Sequence, residues 1–322
     1  MRNFNTKLCL ILFLVQLLLP LFAIKSAESG KAETKKQESA LSVGANSAAA
    51  VKEDKVRLKI AETGEIEEMP MRDYIYGVIA AEYPLLYEEE ALKAGIIAAH
   101  TYTRYLMNKN AESEYDVITD YTVCQAYITK EEAMENWGSG ANEYDEKLEK
   151  LLDESLSYII TYKDEPIFAA YHAISAGQTE NSENVWESEV AYLRSVESVG
   201  DKLAKDYLTE VKMKVTDAES KLGLASGTLK NAKLSKTAAG NVLEIKASKL
   251  SVSGADAVKA LGLRSANFDM SISNGTVVFT VRGFGHQAGM SQNGANYMAK
   301  NGENAEEILK HYFKGVEIIE EK

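Results

Sequence analysis

Cysteine is almost missing: the 322 residues hold only Cys9 and Cys124. Cys9 lies within an apolar leader, so no disulfide can form inside the rest of the chain and stability must come from packing. Basic charge is also short. Lys and Arg number 36 against 48 Asp and Glu, a formal net charge of −12. That balance argues against nucleic acid as a partner, because phosphate binding needs clustered Lys and Arg; it suits a neutral or cationic target. Large apolar residues are scarce between residues 28 and 55, where Ala, Ser, Lys and Glu dominate. Such a composition excludes a packed core and predicts a disordered tether. No internal repeat is visible.

What is present begins with "MRNFNTKLCLILFLVQLLLPLFAIKSAESG". Arg2 and Lys7 precede an apolar run from Leu8 to Ile24, broken only by Gln16 and Pro20 and closed by Lys25. This is an export signal, longer than a usual signal-peptide core and slightly short of the ~20 residues that span a bilayer comfortably. An Ala-x-Ala cleavage site is lacking, although "AIKSA" offers a cut after Ala27. Residues 1–27 are therefore expected to stay as a single-pass anchor in the cell membrane, with the folded part on the extracytoplasmic side. A cleaved peptide is the alternative. Folding should begin near Val56. Residues 56–322 exceed the ~100–200 of a typical domain, which predicts one large domain with an insertion, or two packed lobes.

Val56, Leu58 and Ile60 alternate in "KVRLKI" before the turn in "AETGEIEEM", predicting an edge strand and hairpin. Asp73 opens a short helix that ends at Glu82 and Pro84. A second helix is expected over residues 88–108, with Glu in its first turn and an Ala-rich face for close packing. "YDVITDYTVCQAYIT" reads as a loop with short extended pieces, and residues 142–156 as a polar amphipathic helix. "SYIITYKDEPIFAAYHAIS" predicts a hairpin turning at Lys163 to Pro166, followed by a returning strand. The polar loop "AGQTENSENVW" comes next, the kind of segment where binding groups collect. "EVKMKV" and "NVLEIKASKLSVSG" read as strands around a short helix near residues 217–222, a smaller α+β insertion at about 205–255. "GADAVKALGL" predicts a helix ending at Gly262, and "FDMSISNGTVVFTVRG" a hairpin turning at Asn274-Gly275. A helix over 305–313 and a strand in "GVEII" close the chain. The expected class is α+β, with helical and β-hairpin elements around a substrate cleft.

Two stretches carry chemistry. In "GVIAAEYP", read as helix, Val78 and Ile79 sit four and three residues before Glu82 and share its face. A carboxyl group among apolar neighbours loses hydration, which raises its pKa, as a general acid near neutral pH requires. The bland alternative is a solvated Glu at a helix end stopped by Pro84. In "GFGHQAGMSQNGANYMA", four glycines allow tight turns while His286, Gln287, Ser291, Gln292 and Asn293 crowd donors and acceptors together. That density suits a neutral, hydroxyl-rich ligand such as a glycan; a Gly-rich structural turn with a satisfied histidine is the alternative.

"GFGHQAGMSQNGA" resembles the signature of the stage II sporulation protein D family, membrane-anchored peptidoglycan lytic transglycosylases that act in engulfment during endospore formation. "YIYGVIAAEYP", "ALKAGIIAAHTY", "YHAISAGQTENSENVW" and "ALGLRSANF" match in the expected order before it, and the resemblance spans nearly all of residues 56–319. It implies that Glu82 is the catalytic acid, cleaving between MurNAc and GlcNAc with formation of anhydro-MurNAc. One group serves as acid and then as base, with no second essential carboxylate, unlike the commoner two-carboxylate plan. The resemblance further implies substrate contacts at His100, Tyr171, Ser175, Gly177, Thr179, His286, Gln287, Met290, Ser291 and Gln292. It implies peptide-stripped glycan strands as substrate, with an amidase and a membrane partner of the engulfment complex alongside.

The chain departs from the family at two points. His100-Thr101-Tyr102 stands where the family commonly carries Arg-Thr-Tyr, so a fixed charge gives way to a group titrating near pH 6.5, or to a histidine at the edge of the core. Some relatives hold a metal on a Cys/His cluster, whereas "DVITDYTVCQAYIT" offers Cys124 and no histidine. Zinc usually takes about four N or S ligands, so neither metal nor cofactor is expected, and Cys124 is expected to be a small buried residue. Tyr83, Tyr102 and Tyr171 either stack on sugar faces or fill core. Glu180 and Glu183 are alternative acids, made poorer by the polar "TENSEN" around them. The rival function is a non-catalytic glycan-binding scaffold that activates a cell-wall amidase, for which Glu82 would be dispensable. A plain hydrolase, leaving reducing ends, is the third option.

Overall fold

The computed structural model describes residues 54–186 and 188–321. The expected anchor at 1–27 and residues 28–53 of the expected tether lie outside the described residues. Among the described residues no helix is long and apolar enough to cross a membrane.

The chain enters through β1 (Lys55–Lys59) and β2 (Ile66–Pro70), then α1 (Met71–Glu82) and α2 (Glu89–Lys109). Tyr74, Ile75, Val78 and Ile79 give α1 its apolar stripe, and all four are fully buried. In α2 the run from Ala91 to Thr103 is almost entirely buried, which makes this helix the central post of the first lobe. Small residues let neighbours approach it. A side chain at Gly95 would come within 2.6 Å of the Tyr83 ring.

The structure corrects one expectation at the entrance: β1 is no edge strand. It lies between β2, antiparallel, and β3 (Val117–Ile118), parallel. The cause is electrostatic. The Arg57 guanidinium donates to Asp116 at 2.6 Å and the Arg57 backbone N–H donates to the same carboxylate at 2.9 Å, which draws the loop after α2 alongside β1. Two helices follow, α3 (Lys130–Trp137) and α4 (Ala141–Ser155). The sequence reading missed α3, although Thr129 and Glu132 form a capping box at its start.

A second correction concerns the expected returning strand. β4 (Tyr158–Tyr162) turns at Lys163 and Asp164, both with positive φ, into β5 (Glu165–Pro166), which lasts only two residues. Beyond it the chain leaves this ladder, because the Ala170 carbonyl accepts from the Met290 N–H at 3.0 Å. β6 (Tyr171–His172) then pairs in parallel with a short strand near the far end of the chain, Met290 against Tyr171 and Ser291 against His172. A short helix, α5 (Glu183–Trp186), sits in the polar loop after β6.

A second apolar core gathers residues from Val215 to Val281. It is built by β7 (Leu208–Lys214), α6 (Val215–Lys221), β8 (Lys233–Lys236), β9 (Val242–Ala247), β10 (Leu250–Ser253), α7 (Gly254–Leu261), β11 (Phe268–Ser273) and β12 (Thr276–Arg282). The strands form two sheets, ordered β10-β9-β8 and β11-β12-β7. The β11–β12 hairpin belongs to this core through Phe268, Phe279 and Val281, so the core extends past residue 255. Asn274 and Gly275, both with positive φ, close that hairpin as a two-residue turn. The chain returns to the first lobe with β13 (Met290–Ser291), α8 (Gln292–Lys300), α9 (Ala305–Tyr312) and β14 (Glu317–Glu320), the last pairing with β4. Helices and small mixed sheets in two packed cores make the class α+β.

Candidate functional site

Glu82 closes α1, one residue before the extended Tyr83. The Ala126 N–H donates to its Oε1 at 2.9 Å. Burial raises the carboxyl pKa from 4.5 to about 7, partly offset by that N–H and by the Gln292 amide, both of which favour the charged form. No contribution comes from another carboxylate. As a residue Glu82 is half-buried, at the margin of the core and not sealed within it.

The walls around it come from distant parts of the chain. Gln292, the first residue of α8, donates from Nε2 to the Glu82 carbonyl at 3.4 Å. Tyr83 and Tyr171 pack with ring centroids 5.8 Å apart. The Tyr171 hydroxyl accepts from Gln125 Nε2 at 2.9 Å, and Gln125 Oε1 accepts from Thr103 at 3.2 Å. Burial pushes the Tyr171 hydroxyl well above its ordinary pKa, so it keeps its proton. Cys124 is a free cysteine in the same neighbourhood, a half-buried residue packed against the core whose thiol is raised in pKa by burial and is therefore a weak nucleophile. Among the described residues no group of three or more His, Cys, Asp or Glu side chains is gathered to hold a metal.

The Gly-rich segment supplies the floor. Its second half is helical: Ser291 caps α8 by accepting from the Gly294 N–H at 3.1 Å. Gly289 has φ +74, and a side chain there would lie 2.1 Å from the Ala170 carbonyl oxygen, so only glycine lets the segment press against the residue before β6. Gln287 also has positive φ; its amide accepts from the Ala176 N–H at 2.8 Å and donates to the Ile174 carbonyl at 3.3 Å. His286 Nδ1 accepts from the Ala288 N–H at 3.1 Å, and its ring packs between Trp186 (4.9 Å) and His172 (5.6 Å). Burial lowers both histidines, His172 to about 3, so both are neutral at physiological pH.

The expected contact residues thus divide. Tyr171 and Gln292 flank Glu82, and His286 stands next to them through the backbone of Tyr171. Ser175, Gly177, Thr179, Gln287, Met290 and Ser291 are buried, with their polar atoms engaged inside the loop framework. His100 points elsewhere. Its Nδ1 meets the Tyr158 carbonyl at 3.2 Å and its Nε2 lies 3.6 Å from Glu321, while Tyr102, on the other side of α2, shares the surroundings of Cys124. Burial lowers His100 to about 4. A neutral core-edge histidine is what the structure presents.

Asp201 was not foreseen. It is fully buried and accepts from the Ser175 N–H (2.9 Å), Ser198 Oγ (2.8 Å), Ser291 Oγ (2.8 Å) and Asn293 Nδ2 (3.1 Å). One carboxylate thereby ties the loop after β6 to the start of α8. Glu180 does similar work at the other end of that loop. It accepts from the Asn181 N–H, Asn184, Thr237 and Asn241, the last two on the second lobe, and its own N–H donates to the Gln287 carbonyl at 2.7 Å. Trp186, from α5, was also missed.

Fold and site together define an α+β protein that holds a protonatable carboxyl group beside two packed tyrosines, in a framework braced by buried acids. Comparison with known proteins makes the assignment particular. A family model described as stage II sporulation protein matches residues 59–162. Stage II sporulation protein D of Bacillus amyloliquefaciens is 34% identical over 322 residues, covering 97% of this chain and 94% of that protein. Its counterpart in Bacillus subtilis (strain 168) is 33% identical with the same coverage. The chain belongs to the stage II sporulation protein D family. A protein named amidase enhancer, from Bacillus subtilis (strain 168), is 26% identical over 74% of this chain and 39% of its own length.

Proposed function

We propose that the protein is a peptidoglycan lytic transglycosylase that cuts peptide-stripped glycan strands between MurNAc and GlcNAc during engulfment. The observation that carries this reading is Glu82, a half-buried residue whose carboxyl is raised to about 7 by burial, with no carboxylate partner acting on it. In the first half-reaction Glu82 gives its proton to the glycosidic oxygen as the bond to the muramic anomeric carbon breaks. In the second, the ionised Glu82 takes the proton of the muramic C6 hydroxyl, whose oxygen closes onto that carbon. No water is consumed, and Glu82 ends protonated as it began. Retaining glycosidases place a second carboxylate about 5–5.5 Å from the first to act as nucleophile; here the substrate's own hydroxyl takes that role. Tyr171 and Gln292 line the approach, and neutral donors of this kind suit an uncharged sugar chain.

The test is direct. Wild-type protein and Glu82→Gln are incubated with peptide-free glycan strands and the products are weighed by mass spectrometry. Wild type should yield ends lacking added water, and the variant should lose activity at or beyond the upper end of the ~10²–10⁴-fold range of acid–base catalysis. Cleavage by the variant at the wild-type rate would leave the scaffold reading, to which the relative named amidase enhancer lends support. The proposal extends to location: the apolar run from Leu8 to Ile24 holds the protein in the membrane. Intact protein should fractionate with membranes, and N-terminal sequencing that starts near Glu28 would overturn this.

A further inference from the structure

The second lobe reverses the charge of the rest of the chain. Between Lys221 and Lys249 stand six lysines and one acid, Glu244, a formal +5 within a protein of −12. The lysines are not scattered. On the sheet β10-β9-β8, Lys233 faces Lys246 and Lys246 faces Ser251, so one row across three strands reads Lys, Lys, Ser. Like charges directly opposite each other on a sheet are destabilising unless an anion lies between them. Lys246 finds Glu244 at 3.0 Å, whereas Lys233 makes no ion pair among the described residues.

Beside this row opens a cavity of about 490 Å³ lined by Gly227, Thr228, Asn231, Lys233, Lys246 and Ser248. That volume falls within the ~300–1,000 Å³ of small-ligand sites. The turn at its rim is built rather than loose. The buried carboxylate of Glu219 accepts from the Gly227 N–H at 3.0 Å and from the Leu229 N–H at 2.9 Å, holding the turn from behind. Thr228 donates inward to the Ala225 carbonyl, which leaves the Asn231 amide, the Ser248 hydroxyl and two ammonium groups as donors toward the cavity. Arginine, whose planar fork matches one carboxylate, is missing from the lining. Separately mounted ammonium groups act as point charges, and they suit an oxyanion whose charge is spread over several oxygens, as in phosphate.

We propose that this cavity binds a phosphodiester group, separately from the chemistry at Glu82. Glycerol phosphodiesters occur both in soluble polyol-phosphate polymers and in phospholipid headgroups, and the experiment must tell these apart. Full-length protein is titrated with poly(glycerol phosphate), with poly-γ-glutamate as a carboxylate control, and sedimented with phosphatidylglycerol vesicles, with neutral phosphatidylcholine vesicles subtracting the binding due to the apolar leader. Each arm compares wild type with the double variant Lys233→Gln and Lys246→Gln. The expected result is salt-sensitive binding of poly(glycerol phosphate) that weakens about tenfold in the variant, the combined effect of two exposed contacts. Without ligand the variant should melt no lower than wild type, since it loses a facing pair of like charges, and glycan cleavage should be unchanged. A difference between wild type and variant on vesicles alone assigns the headgroup as the source. The inference is overturned if neither the polymer nor the vesicle arm separates the variant from wild type, or if poly-γ-glutamate binds as tightly as the phosphate polymer. It is equally overturned if the variant melts lower, since the lysines would then serve the fold.

Discussion

Glu82 should make the protein less stable as pH rises, and Glu82→Gln should remove that dependence. The native state raises the carboxyl pKa from 4.5 to about 7, so it binds the proton more tightly than the unfolded chain does. A raised folded-state value favours folding fully below pH 4.5; the benefit fades as pH climbs and is gone above about 7. At 1.36 kcal/mol per pH unit the full effect is roughly 3 kcal/mol. As a residue Glu82 is only half-buried, and allowing for solvent screening the expected size is about 1–3 kcal/mol. Gln retains the shape and can still accept from the Ala126 N–H, but it does not titrate. Urea unfolding followed by circular dichroism, at several pH values between about 4.5 and 8, should show the two proteins diverging up to about pH 7, with the Gln variant gaining on the wild type. Parallel stability curves across that range would refute the claim that burial holds this proton. A variant that gains stability on losing this carboxyl group is the expected mark of a site strained for function.

Two further substitutions examine the frame around that acid. Gly289→Ala forces an L side chain into positive φ and against the Ala170 carbonyl; it should destabilise by about 2–5 kcal/mol, read as a lower urea midpoint, and a midpoint unchanged from wild type would show that the segment does not press on β6 as described. Asp201→Asn leaves donors from Ser175, Ser198, Ser291 and Asn293 facing an amide that can satisfy only some of them. A loss of about 2–4 kcal/mol is expected, with glycan cleavage falling through misplacement of Gln292 while the pH dependence of the residual rate stays as in wild type.

Much of this was readable before any coordinates. Apolar residues three and four positions before Glu82 placed the acid on the buried face, and Asn274-Gly275 and Gly262 marked the turn and helix end that the structure shows. These signals are local, carried by residues within one turn of each other. Asp201 had no such signal. It sits in a short 3-10 helix, Val199–Leu203, and its meaning comes from donors 26 and 90 positions away. The place of β1 was hidden for the same reason, since the ion pair that makes it central joins Arg57 to Asp116, 59 residues apart. His100 misled in the opposite way. Its sequence neighbours match the family motif, but which side of α2 it faces is set by β4 and the end of the chain.

The two-residue parallel ladder between β6 and β13 also governs the order of assembly. Tyr171 and His172 must wait for Met290 and Ser291, and Gln292 arrives one residue later still. Everything in between, the whole second core included, has to be made before the hollow around Glu82 can close. Contacts so distant along the chain form late and slowly, because a long loop must be closed first. A chain leaving the ribosome therefore carries its acid from residue 82 onward without the partners that set its environment. Any product that stops short of β13 lacks the Gln292 amide and the ladder that seats Tyr171, so the surroundings of Glu82 are complete only when synthesis is nearly complete.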